Sequence, residues 1–330
     1  MSILNTDSQH DPNKILPIDY DWAREYYQNG VNNNWVPEEI PMADDVHQWE
    51  NDELTEAERQ LVEWNLGFFS TAESLTANNL VLAVYDHVTA PECRQYLLRQ
   101  AYEEAIHTDT FIYCCDSLGF EPEYMYGMYD RIPAIQKKDE FVVDLTRSID
   151  DPSFTVETDD DVRALLRDLV GFYVIMEGIF FYAGFAMMLA LKRRGKMVGV
   201  GEQFEYIMRD ESLHLNFGVD LINTVREEHP GVWTDEFEAE IDELIREAVE
   251  LESTYAEEAC PPDLMGMSAE GFVEYVEYIA DRRLTQLGMN ERFDTENPFP
   301  WMSEAVDLNR EANFFERQVT EYQSGGSLDW

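Results

Sequence analysis

Residues 169–191 read LVGFYVIMEGIFFYAGFAMMLAL, 23 positions with a single charge, Glu177, near the centre. A run of that length and composition has two stable fates: a helix across a bilayer, or a helix inside a large helical core. The charge decides against the bilayer, because a carboxylate there would sit at the most costly depth. The flanks are also acidic where a cytoplasmic end favours Lys and Arg, although Lys192, Arg193 and Arg194 follow one end. A second segment, WNLGFFSTAESLTANNLVLAVY (64–85), repeats the feature: Glu73 stands alone, in a stretch too rich in Ser, Thr and Asn to span lipid. Both segments are therefore expected to be core helices. An ionised carboxylate buried in such a helix costs several kcal/mol unless it is paired or bound to a metal.

The rest of the chain reads as helix almost throughout. Thr55-Glu56-Ala57-Glu58 predicts a capping box opening a helix that runs through the eighties, and Thr89-Ala90-Pro91-Glu92 a second box opening a helix to Gly119. Thr158 followed by three Asp residues starts the helix of Glu177, with acids at its positive end. Gly195 and Gly199 to Gly201 punctuate before a helix over 202–228, which Pro230 stops; further helices are expected at 234–258 and 268–288. No two-residue apolar alternation extends far enough to suggest a sheet. The expectation is an all-α chain: one domain over residues 1–310, of which 1–18 form a flexible N-terminal segment, and a flexible tail over 311–330 ending SGGSLDW.

Charge excludes several roles. The 68 acidic residues against 23 basic ones give a net charge of −45, a surface that repels nucleic acid and anionic membrane. The acids are spread along the whole chain, which points to adaptation to high salt, where screening makes dense like charge tolerable. Cys93, Cys114, Cys115 and Cys260 form no C-x-x-C pair or disulfide framework, and residues 1–20 lack a signal-peptide apolar stretch. A cytoplasmic protein with reduced thiols is expected.

The buried acids find their partners in two Glu-x-x-His pairs, Glu104/His107 and Glu211/His214. Three residues apart on a helix, each pair shares one face. Glu73 precedes Glu104 by 31 residues and Glu177 precedes Glu211 by 34, intervals that fit a helix, a turn and an antiparallel return. Four helices then supply one Glu each from two and Glu-x-x-His from the others, which is how a ferritin-like bundle builds a dinuclear carboxylate site between its core helices. Carboxylate and imidazole ligands suit Fe and Mn, and no thiolate is present to favour Zn or Cu.

Together with IMRDESLHLNFGVDLINT (207–224), FFSTAESLTANNL and WVPEE (35–39), these residues resemble the small, radical-generating subunit of class I ribonucleotide reductase, from about Tyr20 to the terminus. The resemblance implies metal ligands Glu73, Glu104, His107, Glu177, Glu211 and His214. It also implies a radical-transfer route through Trp35, Asp210 and the tail residue Tyr322. Asp210 fits the role of an acceptor fixing the ring of His107. The sequence departs from the common pattern twice. Glu73 stands where the family usually has Asp, and Phe111, four residues after His107, stands where a Tyr stores a stable radical. Phenylalanine has no phenolic proton to lose, so the oxidising equivalent would remain on the metals, as in subclass Ic with its Mn/Fe pair; Fe/Fe and Mn/Mn pairs are the alternatives. Tyr102 and Tyr113 lie two residues from site residues on the helix and are poor substitutes.

The resemblance further implies a homodimer, and a large catalytic subunit that receives the C-terminal tail. Consistent with that division, the chain has no Gly-rich phosphate loop. Two other readings share the ligand set. One is a stand-alone Mn/Fe ligand-binding oxidase of the same superfamily; the other is iron storage, for which this chain is long and its tail unnecessary.

Overall fold

The computed structural model describes residues 3–4, 15–75, 81–125, 127–151, 153–260 and 268–302. The main helices among them are α1 (Asp21–Asn32), α2 (Ala43–Glu50), α3 (Glu56–Leu75), α4 (Val81–His87), α5 (Pro91–Leu118), α6 (Pro133–Leu145), α7 (Asp159–Lys192), α8 (Val198–Glu228), α9 (Asp235–Ala259) and α10 (Ala269–Gln286). Among the described residues the one extended pairing is an isolated bridge between Leu4 and Val88. The all-α expectation holds, and the described residues pack around one continuous apolar core.

α7 carries the apolar run. It is long and apolar enough to cross a membrane, yet the most apolar part of it is wholly buried inside the protein. It packs on α8 over most of its length, with α3 and α9 on its other sides. Its N-terminus is closed by the expected residues: Thr158 Oγ1 accepts from the Asp161 N–H (3.3 Å), and the Asp161 carboxylate accepts from the Thr158 N–H (2.8 Å). The same reciprocal arrangement closes α3, between Thr55 and Glu58.

Four features differ from the sequence expectation. Residues 170–180, which include Glu177, wind as π-helix rather than α-helix. In a run that is apolar on every side, periodicity cannot report such a widening; π segments are frequent at functional sites. The box expected at Thr89 does not form. Ala90 is the N-cap of α5, and Thr89 instead donates its backbone N–H to the carbonyl of Ile3 (2.9 Å). The cause is the N-terminal segment, where Ile3 and Leu4 are buried against Val88 and the Ile3 N–H is bound to Glu228 (2.8 Å), so these two residues are anchored rather than flexible. Finally, α8 starts at Val198 and takes in Gly199 and Gly201. A Cβ at Gly199 would lie 2.7 Å from the Pro41 carbonyl, while the Asp45 carboxylate accepts from the N–H groups of Gly199 and Val200 (both 2.9 Å). The glycine serves a close approach inside the helix and not a break before it. The expected run of α3 through the eighties crosses 76–80, which lie outside the described residues, as do residues 5–14 and the 311–330 tail.

One buried ion pair has no sequence signature. Lys138 on α6 meets Glu252 on α9 at 2.5 Å, both fully buried, and its ammonium lies 3.5 Å above the Phe68 ring and 4.1 Å above that of Tyr255. Burial lowers the pKa of Lys138 and raises that of Glu252 to about 7, with the partner opposing the shift in each case.

Candidate metal centre

The six residues marked by the sequence arrive at one place. Glu73 comes from α3, Glu104 and His107 from α5, Glu177 from the π segment of α7, and Glu211 and His214 from α8; each is 0% exposed. Their ligand atoms form two overlapping groups, Glu73–Glu104–His107–Glu211 and Glu104–Glu177–Glu211–His214, with atoms in each group within 4.8 Å of one another. Glu104 and Glu211 belong to both groups, so each could serve either of two ions.

Several polar atoms here are buried without a hydrogen-bond partner: both oxygens of Glu73 and Glu104, both ring nitrogens of His107, Glu177 Oε2 and Glu211 Oε1. They are nevertheless close. His107 Nδ1 is 3.0 Å from Glu211 Oε1 and 3.4 Å from Glu73 Oε2. His214 Nδ1 is 3.1 Å from Glu104 Oε1 and 3.8 Å from Glu177 Oε1. These are ion-pair separations without hydrogen-bond alignment, as when lone pairs converge on common points rather than on each other. Buried polar groups are otherwise almost always satisfied, so four carboxylates and the His107 imidazole with unpaired atoms, beside His214, fit a pair of cations.

The electrostatics agree. Burial raises Glu73 and Glu177 well above the usual carboxylate range. Burial also opposes ionisation of Glu104, but the flanking imidazoles outweigh it and hold this carboxyl low. Burial disfavours the imidazolium of His107 and His214, yet the surrounding carboxylates, Glu73 foremost for the first and Glu211 for the second, raise both. Protons on the imidazoles occupy the charge balance that metal cations would take over.

Around the cluster, Asp210 is the hub on one side. Its Oδ2 accepts the Trp35 indole N–H at 2.7 Å and lies 3.5 Å from His107 Nε2, while Arg209 donates to Oδ1 (3.1 Å). Trp35, Asp210 and His107 thus form a continuous series of contacts, and the Trp35 and His107 rings are 6.5 Å apart. Phe111 is 1% exposed and stacks on Phe69 (5.7 Å, 18°), with Phe204 edge-on. Tyr102 is exposed and Tyr113 donates to the Ile40 carbonyl (3.3 Å), so both point away as expected. Tyr322 lies outside the described residues.

Two polar contacts were not anticipated. Gln100 donates to Glu177 Oε1 (3.2 Å) and accepts from Tyr173 (3.0 Å). Glu103 Oε2 bonds His214 Nε2 at 2.9 Å. Gln100 was legible, since positions 100, 104, 107 and 111 make one helix face and a buried amide there needs a partner. Glu103 borders the same face, three residues after Gln100 and four before His107, and it meets His214 because α8 brings that ring beside it.

The chain is similar to known proteins along nearly its whole length. The family model "Ribonucleotide reductase, small chain" matches residues 12–298. Over 323 residues the sequence is 53% identical to the ribonucleoside-diphosphate reductase subunit beta of Chlamydia pneumoniae, a match covering 98% of this protein and 93% of that one. It is 33% identical to the ribonucleoside-diphosphate reductase small subunit of Dictyostelium discoideum, over 94% and 86% of the two proteins. Among solved structures, the ribonucleotide reductase R2 subunit from Clostridium botulinum superposes with a TM-score of 0.81 at 26% identity, over 93% and 94% of the two proteins. A buried cluster of four Glu and two His between four core helices, in this fold and with these relatives, assigns the protein to the ribonucleotide reductase small-chain family, as a class I beta subunit.

Proposed function

We propose that Glu73, Glu104, His107, Glu177, Glu211 and His214 hold a Mn/Fe pair, and that the chain works without a stored tyrosyl radical, in the manner of subclass Ic. When bound and oxidised by oxygen, that pair would supply a one-electron oxidising equivalent. The observation that carries the reading is Phe111: the side chain four residues after His107 is buried among Phe69 and Phe204 and has no phenol to oxidise. The chain's own part is to keep that equivalent from water and to offer one way out. Asp210 accepts the Trp35 N–H and faces His107 Nε2, so it can take a proton at Oδ2 when Trp35 is oxidised. From Trp35 the route passes to Tyr322 on the C-terminal tail, which docks on the large catalytic subunit. That subunit reduces ribonucleotides for DNA synthesis. The working form is a cytoplasmic homodimer.

Loading the metal-free protein with Fe, with Mn, or with both, exposing it to oxygen and assaying it with the cognate large subunit tests this. Turnover with the mixed metals alone is expected. Turnover with Fe alone or Mn alone would overturn the Mn/Fe assignment. Oxygen-reactive metals without turnover under any loading would favour the stand-alone oxidase.

The acidic surface belongs to the same proposal as an adaptation to high salt. With a net charge of −45 the folded chain repels itself, and screening relieves that repulsion. The melting temperature will therefore rise from low to molar KCl; an unchanged value would remove the adaptation.

A further inference from the structure

Each histidine of the cluster presents Nδ1 inward and Nε2 outward, and each outward nitrogen meets a carboxylate. For His107 the carboxylate is Asp210, as described above. For His214 it is Glu103, and this contact is the closer of the two, 2.9 Å against 3.5 Å. Both carboxylates are in turn held by an arginine: Arg209 on Asp210, and Arg99 on Glu103, Nε to Oε1 at 3.0 Å. Both arginines reach the segment leading to Trp35. Arg209 donates to the Asn33 carbonyl (2.5 Å) and Arg99 to Asn34 Oδ1 (3.1 Å). The second arm is built as tightly as the first. Glu103 is 1% exposed and Arg99 11%, and α1 lies so near that a Cβ at Gly30 would come within 2.8 Å of Glu103 Oε1.

We propose that Glu103, held by Arg99, is the positioning residue of the second metal half: it fixes the tautomer and ring orientation of His214 and ties that half to the segment carrying Trp35. The inference rests on the dinuclear reading above. Its basis is hydrogen-bond direction. An ionised carboxylate only accepts, so Glu103 Oε2 requires the proton of His214 on Nε2. Nδ1, which faces Glu104 and Glu177 and hydrogen-bonds Glu211 Oε2 (3.3 Å), is then the nitrogen whose lone pair becomes available when a metal takes the place of its proton. Arg99 keeps Oε1 occupied, so the carboxylate cannot rotate away.

Glu103→Gln is nearly isosteric and reverses this. Arg99 can only donate, so it draws the amide oxygen to itself and turns the NH2 toward His214 Nε2. A donor there forces the ring proton to Nδ1, into the ligand cluster. Removing the guanidinium by Arg99→Met in the same protein frees the amide to rotate and accept from His214 again. The double variant is therefore expected to bind metal better than Glu103→Gln alone, a sign that loss of packing cannot produce.

The test is anaerobic titration of the metal-free full-length protein with Mn(II), in competition with a chromophoric chelator, alongside melting temperatures. In Glu103→Gln one of the two equivalents should weaken by roughly 10–100-fold, the usual range for loss of such a partner, with the other near wild type. The double variant should recover part of the loss. Two equivalents of wild-type affinity in Glu103→Gln would overturn the inference. So would equal weakening of both with a lowered melting temperature, or a double variant weaker than the single. If the wild-type protein itself binds fewer than two Mn(II), the dinuclear reading fails instead, and the two failures are told apart by the wild-type curve.

Discussion

Asp210→Asn will lower ribonucleotide reduction by roughly 10–100-fold or more at saturating metal, while the metals still load. The hydrogen-bond partners of Asp210 are donors, the Trp35 indole at Oδ2 and the Arg209 guanidinium at Oδ1, and His107 Nε2 stands 3.5 Å from Oδ2. A carboxylate satisfies both donors, whereas an amide must turn its NH2 toward one of them. If it faces Arg209, two donors meet; if it faces Trp35, the link from the indole to the cluster is broken. In either orientation no strong base remains to take the proton released when Trp35 is oxidised. Tyr322→Phe should reach the same end by another path, with normal metal content and no turnover, because a phenylalanine cannot carry the equivalent onward. The measurement is turnover with the large subunit, set against metal content for each variant. Wild-type turnover in Asp210→Asn would take Asp210 out of the route, and in Tyr322→Phe it would remove the tail from the mechanism.

Lys138→Met will destabilise the fold by about 3–5 kcal/mol at pH 8, the usual range for breaking a fully buried ion pair from one side. Methionine fills the space over Phe68 and Tyr255 but leaves Glu252 without its counter-charge. The effect depends on pH with a defined sign. Burial, against the pull of Lys138, already raises Glu252 from 4.5 to about 7, so the folded chain holds a proton that the unfolded chain releases. Stability contributed by such a group is present below the unfolded value and lost as pH rises through the folded one. Without Lys138 the folded value moves higher still, and the loss extends further into the alkaline range. The variant should therefore approach wild type near pH 5 and diverge from it above pH 7, as read from urea melts across that range. Adding Glu252→Met should restore most of the stability, since a hydrophobic replacement of the whole pair removes both desolvation penalties. A pH-independent loss would mean that the ammonium acts through packing alone.

The legible part of this protein was the part set by charge in an apolar context. Glu73 and Glu177 stand alone in segments that must be buried, and the two Glu-x-x-His pairs supply helix-face partners at intervals that a bundle can close. Those residues predicted four core helices, their pairing and the six candidate ligands that the structure brings together. Phe111 was legible in the same way, as the next position on the face of Glu104 and His107. What escaped depends on neighbours distant in sequence. Thr89 read as a cap, but its N–H goes to Ile3, a residue 86 positions away. Gly199 and Gly201 read as a break, yet they are the close approach that lets α8 pass Pro41 and Lys192. The π turn at Glu177 is invisible in a run with no polar face.

The sequence by itself determined the helical class, the burial of α7 and the identity of the cluster, because an unpaired charge in a long apolar helix has so few acceptable environments. Only the tertiary structure decided which carboxylates lie between the two groups, that Gln100 meets Glu177, and that Glu103 meets His214. Those choices rest on hydrogen-bond directions between helices that are adjacent in space and far apart in the chain, which no local pattern of residues records.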